Sequence, residues 1–274
     1  MKLQASIRSR KILNPATTLL GLLVIVAGPV CLRADEVPQK LPFVQDWSNP
    51  ALLTQENDWS NVPGFVGYRG DKLAAKPGAN PQTITADGNS SPLSVLVNQK
   101  SPNSLRTGGV AEFDGIPNPT VALKGSATAA APMLVLSLDT KGKQNIAVGY
   151  KLRDLDGSAN NAVQPVALQY RVATNAAYVD VPAAYAPDAT TGPGVATLVT
   201  PIVVVLPAEA NDQAHLQVRW LTANAEGNDE WVGIDDIAVI GDDLAAAPAA
   251  AADNWTEEAN KPFKPQKATK PSAK

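Results

Sequence analysis

The chain has 274 residues, of which 45% are hydrophobic and 18% charged, and a formal net charge of -3. Such a chain projects no broad positive field, which sets nucleic-acid partners aside, and it can build one large core or two small ones. One histidine and one cysteine leave no ligand set for a His/Cys zinc site and no disulfide framework.

At the N-terminus Lys2, Arg8, Arg10 and Lys11 precede an apolar run from Thr17 to Val30, closed near the small residue Ala34. This is the anatomy of a cleaved export signal over residues 1–34, so the mature chain is expected outside the cytoplasm, extracellular or periplasmic. The run is shorter than the ~20 apolar residues a membrane-spanning helix needs. Cleavage after Ala34 removes Cys31. Lipidation of Cys31 is the alternative, although Val30 stands where a lipobox calls for a small residue.

Residues 35–242 read as one β domain. From Leu41 to Gly125 the sequence is irregular, with Trp47, Trp59, Tyr68 and several Pro-Gly and Asn-Pro breaks, and predicts long loops and edge strands. Clearer strand runs follow at Pro132 to Leu138, Asn145 to Leu152, Val163 to Ala173, Val195 to Leu206, Ala214 to Thr222 and Trp231 to Ile240. In several of them apolar residues alternate with polar ones, as in Leu216, Val218 and Trp220 against His215, Gln217 and Arg219. That pattern predicts one face on a core and one in solvent, and two packed antiparallel sheets satisfy it. Beyond Asp243 an Ala-rich stretch and a Lys/Pro-rich end predict a flexible tail over 243–274.

The run Trp231-Val-Gly-Ile-Asp-Asp-Ile-Ala-Val-Ile240 is the closing strand of this scheme. Strict alternation puts Asp235 on one apolar face and Asp236 on the other. Any carboxylate buried there must be paired, hydrogen-bonded or bound to a cation.

That closing run, with Trp59-Ser-Asn-Val-Pro-Gly-Phe-Val-Gly-Tyr-Arg-Gly-Asp71 and Tyr150-Lys-Leu-Arg-Asp-Leu-Asp-Gly157 continuing to Val172, resembles a module of bacterial secreted proteins. The resemblance runs from about Phe43 to Gly241. It implies a jelly-roll-like β-sandwich of the kind that stands beside extracellular nuclease, phosphoesterase or lamin-tail domains. The Ile-Asp-Asp-Ile ending is also similar to the last strand of MAM-like and carbohydrate-binding jelly rolls. Catalytic residues are not implied by the module.

Three kinds of chemistry can be placed on residues. Trp47, Trp59 and Tyr68 would form a sugar-stacking platform if exposed together, whereas Trp220 and Trp231 alternate with aliphatic residues and read as packing anchors. Asp154-Leu-Asp156-Gly157 begins like a calcium loop but fails as an EF-hand, since Gly157 falls too early and Pro165 stands where a bidentate glutamate belongs. A structural calcium could still be assembled from separate loops by Asp235 or Asp236 with Asp46, Asp154 or Asp156; the competing reading is an ordinary Asx turn and a hydrogen-bonded strand acid. No Gly-x-Ser-x-Gly elbow or phosphate loop is present, which leaves paired carboxylates as the one hydrolytic option. The sequence therefore predicts a non-catalytic, secreted binding module for a glycan or cell-envelope protein, with calcium as a possible stabiliser. A carboxylate hydrolase and a structural envelope or matrix protein are the competing readings.

Overall fold

The computed structural model describes residues 36–88, 91–157, 161–190, 196 and 198–244. The expected export signal, Cys31 and all but the start of the tail lie outside them. Among the described residues no helix is long and apolar enough to cross a membrane.

The fold is an all-β sandwich of β1 (Gln39–Lys40), β2 (Phe43–Gln45), β3 (Phe65–Tyr68), β4 (Gly109–Phe113), β5 (Thr120–Lys124), β6 (Met133–Asp139), β7 (Lys143–Asp154), β8 (Val166–Arg171), β9 (Val179–Asp180), β10 (Val199–Val205), β11 (Leu216–Thr222) and β12 (Val232–Asp243). One sheet runs β1-β6-β11-β8-β9, with β3 beside β1 on β6; the other runs β10-β7-β12-β5-β4, with β2 beside β5 on β12. All pairings are antiparallel except β1 with β6.

The period-two pattern builds the interface between the sheets. Ile146, Val148, Tyr150 and Leu152 of β7 and Val232, Ile234, Ile237 and Val239 of β12 share a core with Leu134, Leu136 and Leu138 of β6 and Leu216, Val218 and Trp220 of β11. Tyr150 meets Trp220 edge-on across the sandwich at 5.5 Å between centroids. A smaller cluster, Ala111, Phe113, Ala122, Leu155 and Trp231, lies under the partly buried Leu96, Leu105 and Ile116.

Two sequence expectations are corrected by this arrangement. The polar face of β11 does not meet solvent along its length: His215 is exposed, but Gln217 and Arg219 are buried, as are Gln169 and Arg171 of the neighbouring β8. Residues 81–87 and Tyr178 cover them. Arg219 donates to the carbonyls of Ile84 (2.5 Å) and Ala86 (2.9 Å) and to Gln169 Oε1 (2.8 Å), while the Arg219 and Arg171 guanidiniums stack on Tyr178 at 3.7 and 4.4 Å from its centroid. Burial draws the Arg219 guanidinium down to about 10, yet it remains a cation at neutral pH, satisfied by carbonyl oxygens and by π faces.

The second correction concerns the two adjacent acids. β12 pairs with β7 at Asp235↔Lys151 and next at Ala238↔Gly149, so β12 holds one extra residue between these points. Asp236 takes φ 48, which an aspartate tolerates better than most side chains. This bulge resets the alternation. Ile237 and Val239 turn to the core, and neither face of the strand carries the single core carboxylate that strict alternation assigns to it.

Candidate functional site

The five acids proposed as calcium ligands do not converge. Asp235 is buried but already occupied: it accepts from Arg153 Nη1 (2.8 Å), Asn118 Nδ2 (3.0 Å) and the Asp236 amide (2.8 Å). Asp236 is exposed and pairs with Lys151 at 2.6 Å. Asp46 caps its own turn through the Ser48 amide and hydroxyl, which hold its carboxyl below the usual range. Among the described residues no three His, Cys, Asp or Glu side chains are gathered to hold a metal ion.

The stacking platform is absent as drawn. Trp47, Trp59 and Tyr68 are 3%, 0% and 5% exposed, and a sugar needs a ring face in solvent. Each ring is held by its polar end: Trp47 Nε1 donates to the Ile234 carbonyl (2.8 Å), Trp59 Nε1 to the Ser94 carbonyl (3.2 Å) and Tyr68 Oη to Glu36 Oε1 (3.0 Å). Among the described residues Phe43 and Tyr185 are the aromatics left partly exposed.

What the fold does bring together is a polar cleft of about 500 Å³, bordered by Asn103, Arg106, Lys124, Asp156, Asn224, Asn228 and Asp229. Four segments build it: the loop before β4, the end of β5 with the β5–β6 turn, the stretch after β7 that carries Asp156, and the β11–β12 loop. Short-range contacts hold its walls. Lys124 Nζ and Trp231 Nε1 both donate to the Leu105 carbonyl, at 3.3 and 3.1 Å, and Asp229 Oδ1 accepts from the Ala225 amide at 2.8 Å. Gly125 is required here, because any Cβ would collide with the Asn224 backbone as well as with the Asp229 carboxylate. At the mouth Asn103, Arg106 and Asn228 are exposed; Asn103 Oδ1 accepts from the Gly157 amide at 2.9 Å, which leaves its Nδ2 to donate to a ligand.

Behind the cleft lies a buried group of acids. Asp154 and Glu230 are each pushed up to about 7, first by burial and then by neighbouring carboxylates, Asp156 and Asp188 among them. Asp154 Oδ1 accepts from the Asp156 amide at 3.1 Å. Its other oxygen, Oδ2, is buried with no hydrogen-bond partner. Lys124, between this group and the cleft, is drawn down by burial, opposed by the attraction of Asp156, Asp229 and Glu230.

The sequence pointed to Asp154 and Asp156 here, but it did not reveal Asn103, Arg106, Lys124 or Asn228. Their signal is meagre, since they are ordinary loop and strand-end residues drawn from segments far apart in the chain. Only the placement of Trp231 and Leu105 beneath them makes a cleft.

No protein-family model matches the chain, and no curated protein matches it in sequence. Among solved structures, a carbohydrate-binding module specific for non-crystalline cellulose, CBM28, is similar at 14% identity and TM-score 0.38, over 52% of this chain and 85% of that one. A CBM27-1 module from Caldicellulosiruptor saccharolyticus, in complex with mannohexaose, is similar at 11% identity and TM-score 0.36, over 52% and 88%. A Stig cyclase, Fisc, from Fischerella sp. TAU is similar at 13% identity and TM-score 0.38, over 78% and 100%. Likenesses this distant, to sugar-binding modules and a cyclase alike, do not decide between ligands or activities.

Proposed function

We propose that this chain is a non-catalytic binding module, exported from the cytoplasm, that takes a neutral glycan in the cleft at Asn103, Arg106, Lys124, Asn228 and Asp229. The carrying observation is the balance of that cleft: two cations, Arg106 and Lys124, face two carboxylates, Asp156 and Asp229, with amides between them. An anion or a cation would meet repulsion from one half of such a lining. A polyhydroxylated ligand that donates and accepts at every position suits both halves.

Calcium enters the same proposal at Asp154. Its partnerless buried Oδ2 would give a divalent cation one protein oxygen, although no three acid side chains gather there among the described residues, and such a cation would hold Asp154 ionised. A cation there would complete its six to eight oxygen ligands with backbone carbonyls or water. The hydrolase reading draws on the same acids, but Asp154 and Glu230 are each 2% exposed and present no carboxyl to a bound chain.

Calorimetric titration of the mature protein against a panel of neutral oligosaccharides tests the binding. Arg106→Ala and Asn228→Ala should each weaken the best ligand at least about fivefold, the loss of one hydrogen-bonded contact of ~1 kcal/mol or more. Absence of binding across the panel, or equal affinity in both variants, would replace this reading. Turnover of a polysaccharide would replace it with the hydrolase.

A further inference from the structure

The outer surfaces of the two sheets are not equally covered. Residues 81–87 and Tyr178 lie over β8 and β11, and Leu96, Leu105 and Ile116 lie over β4 and β5. The outer face of β10, β7, β12 and β2 has no such cover among the described residues. Its cross-strand row Val203, Gly149, Ala238 and Val44 is given directly by the pairing register, and the next row is Val205, Ala147 and Ile240. Val44, Val203, Val205 and Ile240 are 75%, 78%, 58% and 55% exposed. Large aliphatic side chains thus stand on both flanks of a floor made only of Gly149, Ala147 and Ala238. Exposed aliphatic side chains gathered in this way make the face a candidate interaction surface.

From this face we propose that the protein self-associates, two copies packing these sheets together about a twofold axis that runs along the strands between β7 and β12. An isologous contact requires a surface complementary to itself, and this one is. The axis exchanges β7 with β12 and β10 with β2. It therefore lays the Val203 and Val205 flank of one copy over the Val44 flank of the other. It also lays hydrogen-bond donors on acceptors at both ends of the face. Lys151 on β7 already holds Asp236 on β12 at 2.6 Å, and Asn145 on β7 holds Asp242 on β12 at 2.9 Å. In the pair, each β7 donor meets the same β12 carboxylate of the second copy.

The face carries no aromatic ring, so it offers a sugar no stacking surface. Its size sets the strength of the contact. With strands about 4.8 Å apart and a rise of about 3.3 Å per residue, the open face measures roughly 19 by 24 Å. A pair would bury about 900 Å², below the ~1,200 Å² of a standard stable interface. The association is therefore weak and follows concentration.

Sedimentation velocity on the mature full chain, from micromolar to millimolar protein, tests the proposal. The sedimentation coefficient should rise toward that of a dimer. Val203→Glu and Ile240→Glu, both at exposed positions, should each raise the dissociation constant at least tenfold while leaving the melting temperature within about 2 °C of wild type. Lys151→Glu should also weaken the dimer by setting like charges against Asp236 of the second copy, and the double exchange Lys151→Glu with Asp236→Lys should restore it. A monomer throughout the range overturns the proposal. So does a dimer that survives both glutamate substitutions, or a Lys151→Glu loss that the double exchange does not recover.

Discussion

Replacing Asp235 by alanine should be among the most damaging single changes in the molecule. Its side chain is fully buried and accepts three hydrogen bonds, from Arg153, Asn118 and the Asp236 amide. Burial raises its carboxyl, and the Asp236 amide and Arg153 oppose that rise. Alanine would leave Asn118 Nδ2 and the Asp236 amide without acceptors. Arg153 Nη1 would retain only the Asn118 carbonyl, at 2.8 Å. Removing one partner of a buried ion pair costs roughly 3–5 kcal/mol. For a domain of about 200 residues that corresponds to a fall of about 6–20 °C in melting temperature. Asp236→Asn is the control. It keeps a residue that tolerates φ 48 and removes only an exposed pair with Lys151, worth about 1 kcal/mol at most. Melts followed by circular dichroism should separate the two variants clearly. Repeating them with calcium and with chelator should leave the Asp235→Ala loss unchanged, because its partners are protein groups. An Asp235→Ala protein melting within about 2 °C of wild type would refute the reasoning, and a loss that appears only with calcium would return Asp235 to cation binding.

Two further outcomes follow from buried groups. Asp154, Glu230 and Glu112 are each pushed up to about 7, chiefly by burial, so the folded chain binds more protons than the unfolded one between about pH 4 and pH 7. Their contribution is fully present below the unfolded carboxyl range and is lost as pH rises through about 7. Without calcium, melting temperature should therefore fall from about pH 5 to about pH 8, by roughly 4–8 °C if screening and relaxation leave ~2 kcal/mol of the effect; a flat or rising profile would show that these acids stay ionised. Trp59→Ala should cost about 3–5 kcal/mol by opening a cavity in the core and leave glycan affinity within twofold, measured where the variant is folded; a selective loss of affinity with an unchanged melt would put Trp59 back in a binding platform.

Much of the fold was legible because alternation depends on local chemistry. The six regular runs read from Pro132 onward each overlap a strand, and Leu216, Val218 and Trp220 face the core as their spacing predicts. Alternation failed at one extra residue. The bulge at Asp236 has no apolar or turn signature beyond the doubled aspartate itself, yet it moves every later side chain of β12 to the opposite face. The stacking platform failed for a different reason. Trp47 and Trp59 sit in irregular sequence, whose lack of period leaves exposure and burial equally open. Their indole nitrogens instead find carbonyl acceptors inside the fold, so the irregular chain is itself core.

The same cause places the two candidate surfaces. A polar strand face reads identically whether it meets water or a covering loop, because a buried Arg219 and an exposed one have the same neighbours in sequence. The difference lies in the long segment between β3 and β4. Its residues 84–87 supply carbonyl acceptors to Arg219 and a carboxylate to Arg171, and its Leu96 and Leu105 close over the β4–β5 edge. Where that segment ends, beside Asn103 and Arg106, its last turn forms one wall of the polar cleft. Where it does not reach, across β10, β7, β12 and β2, the sheet has no cover among the described residues. One wall of the polar cleft and the extent of the open sheet face thus both depend on how far one loop extends. Exchanges that loosen Arg219 from it should expose the β8–β11 face while leaving Val203 and Ile240 as accessible as before.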